Sequence, residues 1–174
     1  MSQISKLIRD AIKSQAADPI FGFNPRFASV ASAYGVDSFT IDFGPKSFNF
    51  IFGQVPPDLI EQSSVLTYPL MTIDTLTVRD TDLGRPATFA GQLDALIQLH
   101  VTWEESQAVP DFSSLPDACE DAVFAMMNDP AHMFRTNNVA YAGRMDMTRS
   151  PVIMAGENWR RTLSFVPHFT LLVP

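Results

Sequence analysis

A chain of 174 residues, 46% of them hydrophobic, suffices for one domain with a full core and falls short of two. Only 18% of the residues are charged, below the usual proportion of about a quarter, and fourteen Phe and thirteen Pro are high counts. The net charge of −7, with twelve Lys and Arg scattered along the chain, argues against a nucleic-acid reader, because gripping phosphates requires a basic patch.

Sparse charge with abundant Phe leaves little ionic surface to cover the apolar one, and favours burial against another subunit. The single Cys119 forms no intrachain disulfide and reads as a small core residue. The first residues, MSQISKLIRDAIKSQ, are amphipathic and lack the apolar run of a signal peptide. No window approaches the roughly eighteen apolar residues of a membrane span.

Ile4, Leu7, Ile8, Ala11 and Ile12 recur at helical spacing, opposite Lys6, Arg9, Asp10 and Lys13. This predicts a helix over about residues 3–16 that docks on a sheet. Asp18-Pro19 ends it. Residues 19–36 read as irregular, with a short helical turn near Phe27–Tyr34. In DSFTIDFGPKSFNFIFGQ, Phe39, Ile41 and Phe43 alternate, a Gly-Pro-Lys-Ser turn follows, and Phe48, Phe50 and Phe52 alternate again. The pattern predicts a hairpin over 37–54, either packed on the core or projecting as an arm, and these six side chains are the candidate oligomer interface.

A proline-started helical turn is expected at VPPDLIEQSS, with Pro57 in its first position. A strand follows at SVLTYPLMTIDTLTVRD, where Pro69 requires an edge or a bulge, and then a turn at TDLGRPAT. The strongest pattern in the chain comes next, ATFAGQLDALIQLHVTWE. Phe89, Leu93, Ala95, Ile97, Leu99, Val101 and Trp103 share one parity. Gln92, Asp94, Gln98, His100, Thr102 and Glu104 share the other. Period-two alternation marks a strand with one buried and one wet face, and Gly91 is the expected bend or bulge. Gln92, Asp94, Gln98, His100 and Thr102 are the candidates for lining a channel or a hydrated subunit contact.

After a polar loop, SLPDACEDAVFAMMND carries Leu115, Ala118, Cys119, Ala122, Val123, Met126 and Met127 on one helical stripe. Ser114 is the expected cap, and Asp117, Glu120 and Asp121 form a solvated acidic face near the helix start. Val139, Tyr141, Gly143, Met145 and Met147 alternate as a strand. WRRTLSFVPHFTLLVP closes the chain as another, with Pro167 again implying an edge or a bulge. The expected fold class is α+β: residues 1–174 as one domain, a mostly antiparallel twisted sheet with two amphipathic helices on one face, plus the projecting or packed hairpin.

No catalytic constellation emerges. His100, His132 and His168 lack ligand spacing, and no second Cys joins them. Ser164 and His168 are roughly 13 Å apart along a strand, too far for a direct hydrogen bond. There is no G-x-S-x-G and no phosphate-binding glycine motif. Met126, Met127, Met145 and Met147 suit core filling. No catalytic, metal or cofactor-binding residue is assigned, and no cofactor is expected.

The order of elements does carry a resemblance. An amphipathic helix, an extended arm region, a strand with TYPLMTI, a long amphipathic strand, an acid-capped helix and an aromatic closing strand together resemble the tail terminator (tail completion) proteins of tailed bacteriophages. The resemblance runs from the first helix to the last strand. It implies a homohexameric ring at the head-proximal end of the tail, contacting the tail tube protein and the neck or connector protein. Such a ring is a virion component assembled in the host cytoplasm, passes DNA without reading it, and is neither an enzyme nor membrane-bound. The competing readings are another neck, head-completion or baseplate component, and a small α+β enzyme or ligand-binding domain.

Overall fold

A computed structural model describes residues 3–55, 66–80, 89–104, 111–129, 135–136, 139–155 and 158–172. Three helices, α1 (Gln3–Ala16), α2 (Phe23–Tyr34) and α3 (Ser114–Met127), lie with seven strands. The strands are β1 (Phe50–Phe52), β2 (Leu70–Asp80), β3 (Phe89–Glu104), β4 (Arg135–Thr136), β5 (Val139–Arg149), β6 (Ile153–Ala155) and β7 (Asn158–Leu172). They form one sheet in the order β1-β2-β3-β7-β5-β4, with β6 beside β7. Among the described strands, only the β1–β2 pairing is parallel. The α+β class and the mostly antiparallel sheet follow the expectation. Among the described residues there are three helices rather than two, because the segment read as irregular folds into α2.

The long amphipathic pattern becomes β3, paired on both sides, with Ile97 opposite Ile73 and Phe165, and Leu99 opposite Met71 and Leu163. Leu93, Ala95, Ile97, Leu99 and Val101 are fully buried and join residues of all three helices in one core. The register with β7 shifts between Phe89 and Gly91, so the strand is bulged where Gly91 suggested. Pro167 lies in β7, a strand with neighbours on both sides rather than an edge. It pairs with Met145 beside a bulge in β5 between Tyr141 and Met145, while the ladder with β3 skips Ala95 and Leu96 opposite Val166 and Pro167, the interruption expected where proline has no N–H to give. Gly143 supplies the positive φ, +70°, within the same bulge. Pro69, joined to Tyr68 by a cis peptide, stands just ahead of β2 rather than inside it.

The stripe on α1 is wider than the face it buries. Ile8, Ile12 and Ala16 enter the core, whereas Ile4 and Leu7 are 38% and 43% exposed. Helix α2 ends in Gly35 at φ +67°, whose N–H and that of Val36 bond Ser32 O and Ala31 O, a left-handed cap that glycine adopts without strain. Its start is fixed by close approach. A Cβ at Gly22 would lie 2.4 Å from Asp18 O and 2.5 Å from Ala16 O, so the α1–α2 corner requires glycine.

Residues 37–54 depart from the expected hairpin. Phe50–Phe52 becomes β1, but residues 39–43 form no strand. Two asparagine side chains take the backbone groups that a partner strand would have used. Asn24 Nδ2 donates to Ile41 O at 2.8 Å while Ile41 N donates to Asn24 Oδ1 at 2.8 Å. Asp42 N donates to Asn49 Oδ1 at 2.9 Å and Asn49 Nδ2 donates to Thr40 O at 3.0 Å. A primary amide presents a donor and an acceptor side by side, as a strand does, so the extended chain is satisfied without pairing.

Helix α3 buries the expected stripe, and burial pushes the Cys119 thiol well above its ordinary pKa. Two details correct the sequence reading. Ser114 does not cap. Asp111 does, its Oδ1 accepting Ser113 N at 2.9 Å and Ser114 N at 3.1 Å, with both serine hydroxyls also on the carboxylate. The acidic face is also not simply solvated. Glu120 is 7% exposed and holds Arg149 Nε and Nη2 through both carboxylate oxygens, and Asp117 takes Nη2 at 2.5 Å. The bidentate pair ties α3 to the end of β5. Met126 and Met127 are buried, and Met145 and Met147 pack against the core, as core filling requires. Of the helical turn expected at 55–64 only Val55 is described; the rest of it, the turn expected at 81–88 and His132 lie outside the described residues.

Candidate functional site

With all three helices on one face, the other face of the sheet is left to the second parity of β3 and its partners, and the channel candidates all lie there. Pairing sets Asp94 opposite His168, Gln98 opposite Ser164, His100 opposite Thr162 and Thr102 opposite Arg160. The row is cross-linked by side chains. Gln98 Nε2 donates to Ser164 Oγ at 3.2 Å. His100 Nδ1 lies 2.9 Å from Thr162 Oγ1. His168 bridges three strands, with Nδ1 2.7 Å from Asp94 Oδ1 and Nε2 3.0 Å from Asp146 Oδ2. Arg144 reaches the other oxygen of Asp146 at 3.4 Å. The hydrogen bond to His168 is the main cause holding the Asp146 carboxyl below its usual range.

This face is not uniformly wet. Gln92 is exposed and Asp94, Gln98 and Thr102 are half-buried, but Leu70, Thr72 and His100 are 0%, 1% and 2% exposed and Leu96 is 7%. Arg160 is buried as well, its guanidinium 4.4 Å from the Tyr68 ring centroid. Of the two states expected of a histidine on that parity, solvated or hydrogen-bonded within the sheet, His100 takes the second and is buried. Burial first, then the Arg160 charge, pushes its pKa down to about 4, so the ring is neutral at pH 7. Among the described residues its Nε2 and the Thr72 hydroxyl lack hydrogen-bond partners. A bare acceptor is easier to bury unpaired than an N–H, which favours the tautomer with the proton on Nδ1, donated to Thr162.

The six interface candidates separate. Ile41 and Phe50 are 2% and 7% exposed in the core, and Phe39 and Phe43 pack against it. Phe23, Phe27 and Phe39 form a ring cluster, with Phe27 and Phe39 4.2 Å apart. Only Phe48 and Phe52, 60% and 40% exposed, face outward, so the segment is mainly core rather than arm.

The sequence reading missed two other exposed apolar groups. Ile4 and Leu7 of α1, Phe52 of β1 and Leu76 at the β2 bulge lie toward one side of the sheet, where Arg9 sits over Phe52 and reaches Asp74 at 3.9 Å. Ile153 and Met154 of β6, 47% and 63% exposed, lie across β7 at the other side. Both adjoin short edge strands. The first signal was present in α1 as a stripe too broad for its buried face, but the second lies in a three-residue strand, too short to show a period.

No group of three or more His, Cys, Asp or Glu among the described residues has the arrangement of a metal site. No described helix is long and apolar enough to cross a membrane. Compared with known proteins, the chain matches no family model and no curated sequence.

Proposed function

We propose that this chain is a structural subunit of a tailed-phage virion. It assembles as a homo-oligomeric ring, a hexamer by resemblance, that terminates the tail tube and joins it to the neck, with a channel for DNA. The observation that carries the reading is the pair of unlike apolar groups at opposite sides of one sheet. Ring closure uses heterologous contacts, in which one patch on each subunit meets a different patch on the next. The Ile4, Leu7, Phe52 and Leu76 group and the Ile153 and Met154 group are two exposed, unlike apolar groups, which supports that kind of contact. A two-fold dimer needs only one self-complementary patch.

The helix-free face supports the same reading. Its exposed and half-exposed polar groups include Gln92, the Gln98–Ser164 pair, and Asp94 and Asp146 on His168, with Arg144 beside Asp146, and the net charge is −7. A neutral-to-acidic wall lets duplex DNA pass without adhesion. In this arrangement the tail tube and neck proteins are the other partners, and no chemistry is performed.

The test is size-exclusion chromatography with light scattering, alone and with tail tube protein, followed by negative-stain imaging. Rings are expected for the wild type, and Met154→Asp should give folded monomers. A wild-type chain that stays monomeric at high concentration and does not join tube ends overturns the proposal. Binding at another position in the particle would assign the protein to a neck or baseplate component instead.

A further inference from the structure

A cleft of about 450 Å³ opens where α2 ends, β3 ends and α3 begins. Its volume falls within the range of small-ligand sites, roughly 300–1,000 Å³. Tyr34, Phe39 and Trp103 contribute aromatic walls, and Asp37, Glu104 and Asp111 bring carboxylates to the lining. None of the lining residues is Lys, Arg or His. The aromatic walls are braced from behind, with Phe39 against Phe27 at 4.2 Å and Trp103 against Phe112 at 6.2 Å.

The three carboxylates differ in what they have left to offer. Asp111 is occupied in capping α3, and its donors from Ser114 and Ser113 hold it well below the usual carboxylate range. It remains a fixed negative charge at the cleft. Asp37 and Glu104 are exposed and, among the described residues, bond none, which makes them the carboxylates to receive a donor. Cations on neighbouring elements are already engaged. Arg149 is held by Glu120 and Asp117, and Arg161 donates to Ser150 O at 2.9 Å and Phe112 O at 3.2 Å. Aromatic faces with carboxylates at the rim attract a cation that is weakly hydrated and carries an apolar stem.

We propose that this cleft binds an organic cation, a guanidinium or onium head whose stem lies along Trp103 and Phe39 while its charge meets Asp37 and Glu104. The site is independent of the ring reading. It would take a basic side chain of a partner protein or a free small cation, and the same chemistry serves either source.

Trp103 reports on the site once Trp159→Phe removes the other tryptophan. Fluorescence is followed during titration with N-acetyl-arginine amide, with its neutral isostere N-acetyl-citrulline amide, and with tetramethylammonium. A saturable response to a cation is expected, absent or much weaker with citrulline. Asp37→Asn with Glu104→Gln should weaken binding about tenfold, the effect of two exposed ion contacts, and added salt should weaken it further. Neither substituted carboxylate bonds another described residue, and a circular dichroism melt checks that the fold is kept. Binding of the arginine amide alone assigns the site to a partner's side chain. Equal binding of tetramethylammonium assigns it to a free cation. No saturable response to either cation, an equal response to citrulline, or unchanged affinity in the double variant overturns the proposal.

Discussion

His100 makes the stability of this protein depend on pH in a defined window. Its pKa falls from 6.5 in the unfolded chain to about 4 in the folded protein, because a buried ring beside Arg160 resists a positive charge. The unfolded state therefore binds the proton more readily between those values, and acid draws the equilibrium toward unfolding. The contribution is fully present above pH 6.5 and is lost as the pH falls toward 4. At about 1.4 kcal/mol per pH unit, the loss is about 2 kcal/mol at pH 5 and about 3 kcal/mol at pH 4. Carboxylates titrate over the same range, so the assay is a comparison. His100→Asn keeps a donor toward Thr162, does not titrate, and leaves a small cavity costing about 1–2 kcal/mol at pH 7. Urea unfolding at pH 7, 6, 5 and 4 should show the wild type losing its advantage and falling below the variant between about pH 6 and pH 5. A difference between the two that stays flat from pH 7 to pH 4 would refute the reasoning, as would an NMR titration placing the His100 midpoint near 6.5.

Other substitutions probe other parts of the argument. Arg149→Met leaves Glu120 buried without its cation and should cost about 2–3 kcal/mol, below the full range for deep pairs because Arg149 is partly exposed. Replacing Glu120 with Gln in the same chain should recover much of it, read by thermal melts. Asn24→Ala removes both bonds to the Ile41 backbone and should cost about 1–2 kcal/mol, with faster hydrogen exchange at the Ile41 amide. Phe50→Asp places a carboxylate in the core and should prevent folding; a folded variant that merely fails to assemble would restore the arm reading. Gly35→Ala should cost about 1 kcal/mol through its positive φ, measured by denaturant midpoint.

The residues that announced themselves were those whose surroundings repeat along the chain. The alternation in β3 and the stripe on α3 are local patterns, and a period of two or of 3.6 specifies which side chains share a face whatever lies across from them. The class of fold and the central role of β3 followed from them. The segment 37–54 failed as a hairpin for the same reason in reverse. Its alternation was genuine, but the partner for residues 39–43 came from Asn24 and Asn49, and an amide seventeen residues away from Ile41 leaves no mark in the local pattern. Glu120 looked like surface because its partner, Arg149, stands twenty-nine residues on.

The candidate site divides along the same line. Sequence parity by itself determined that Gln92, Asp94, Gln98, His100 and Thr102 share one face of a strand, since Cβ direction is a property of the backbone. Only the tertiary structure decided what that face is. The β7 register placed His168 between Asp94 and Asp146, and placed Thr162 beside His100. Tertiary packing closed over His100 and Leu70 while leaving Gln92 exposed. It also brought Asp37, Trp103 and Asp111 to one cleft from three separate elements. Burial and charge pairing are sums over neighbours in space, and most of those neighbours are distant along the chain.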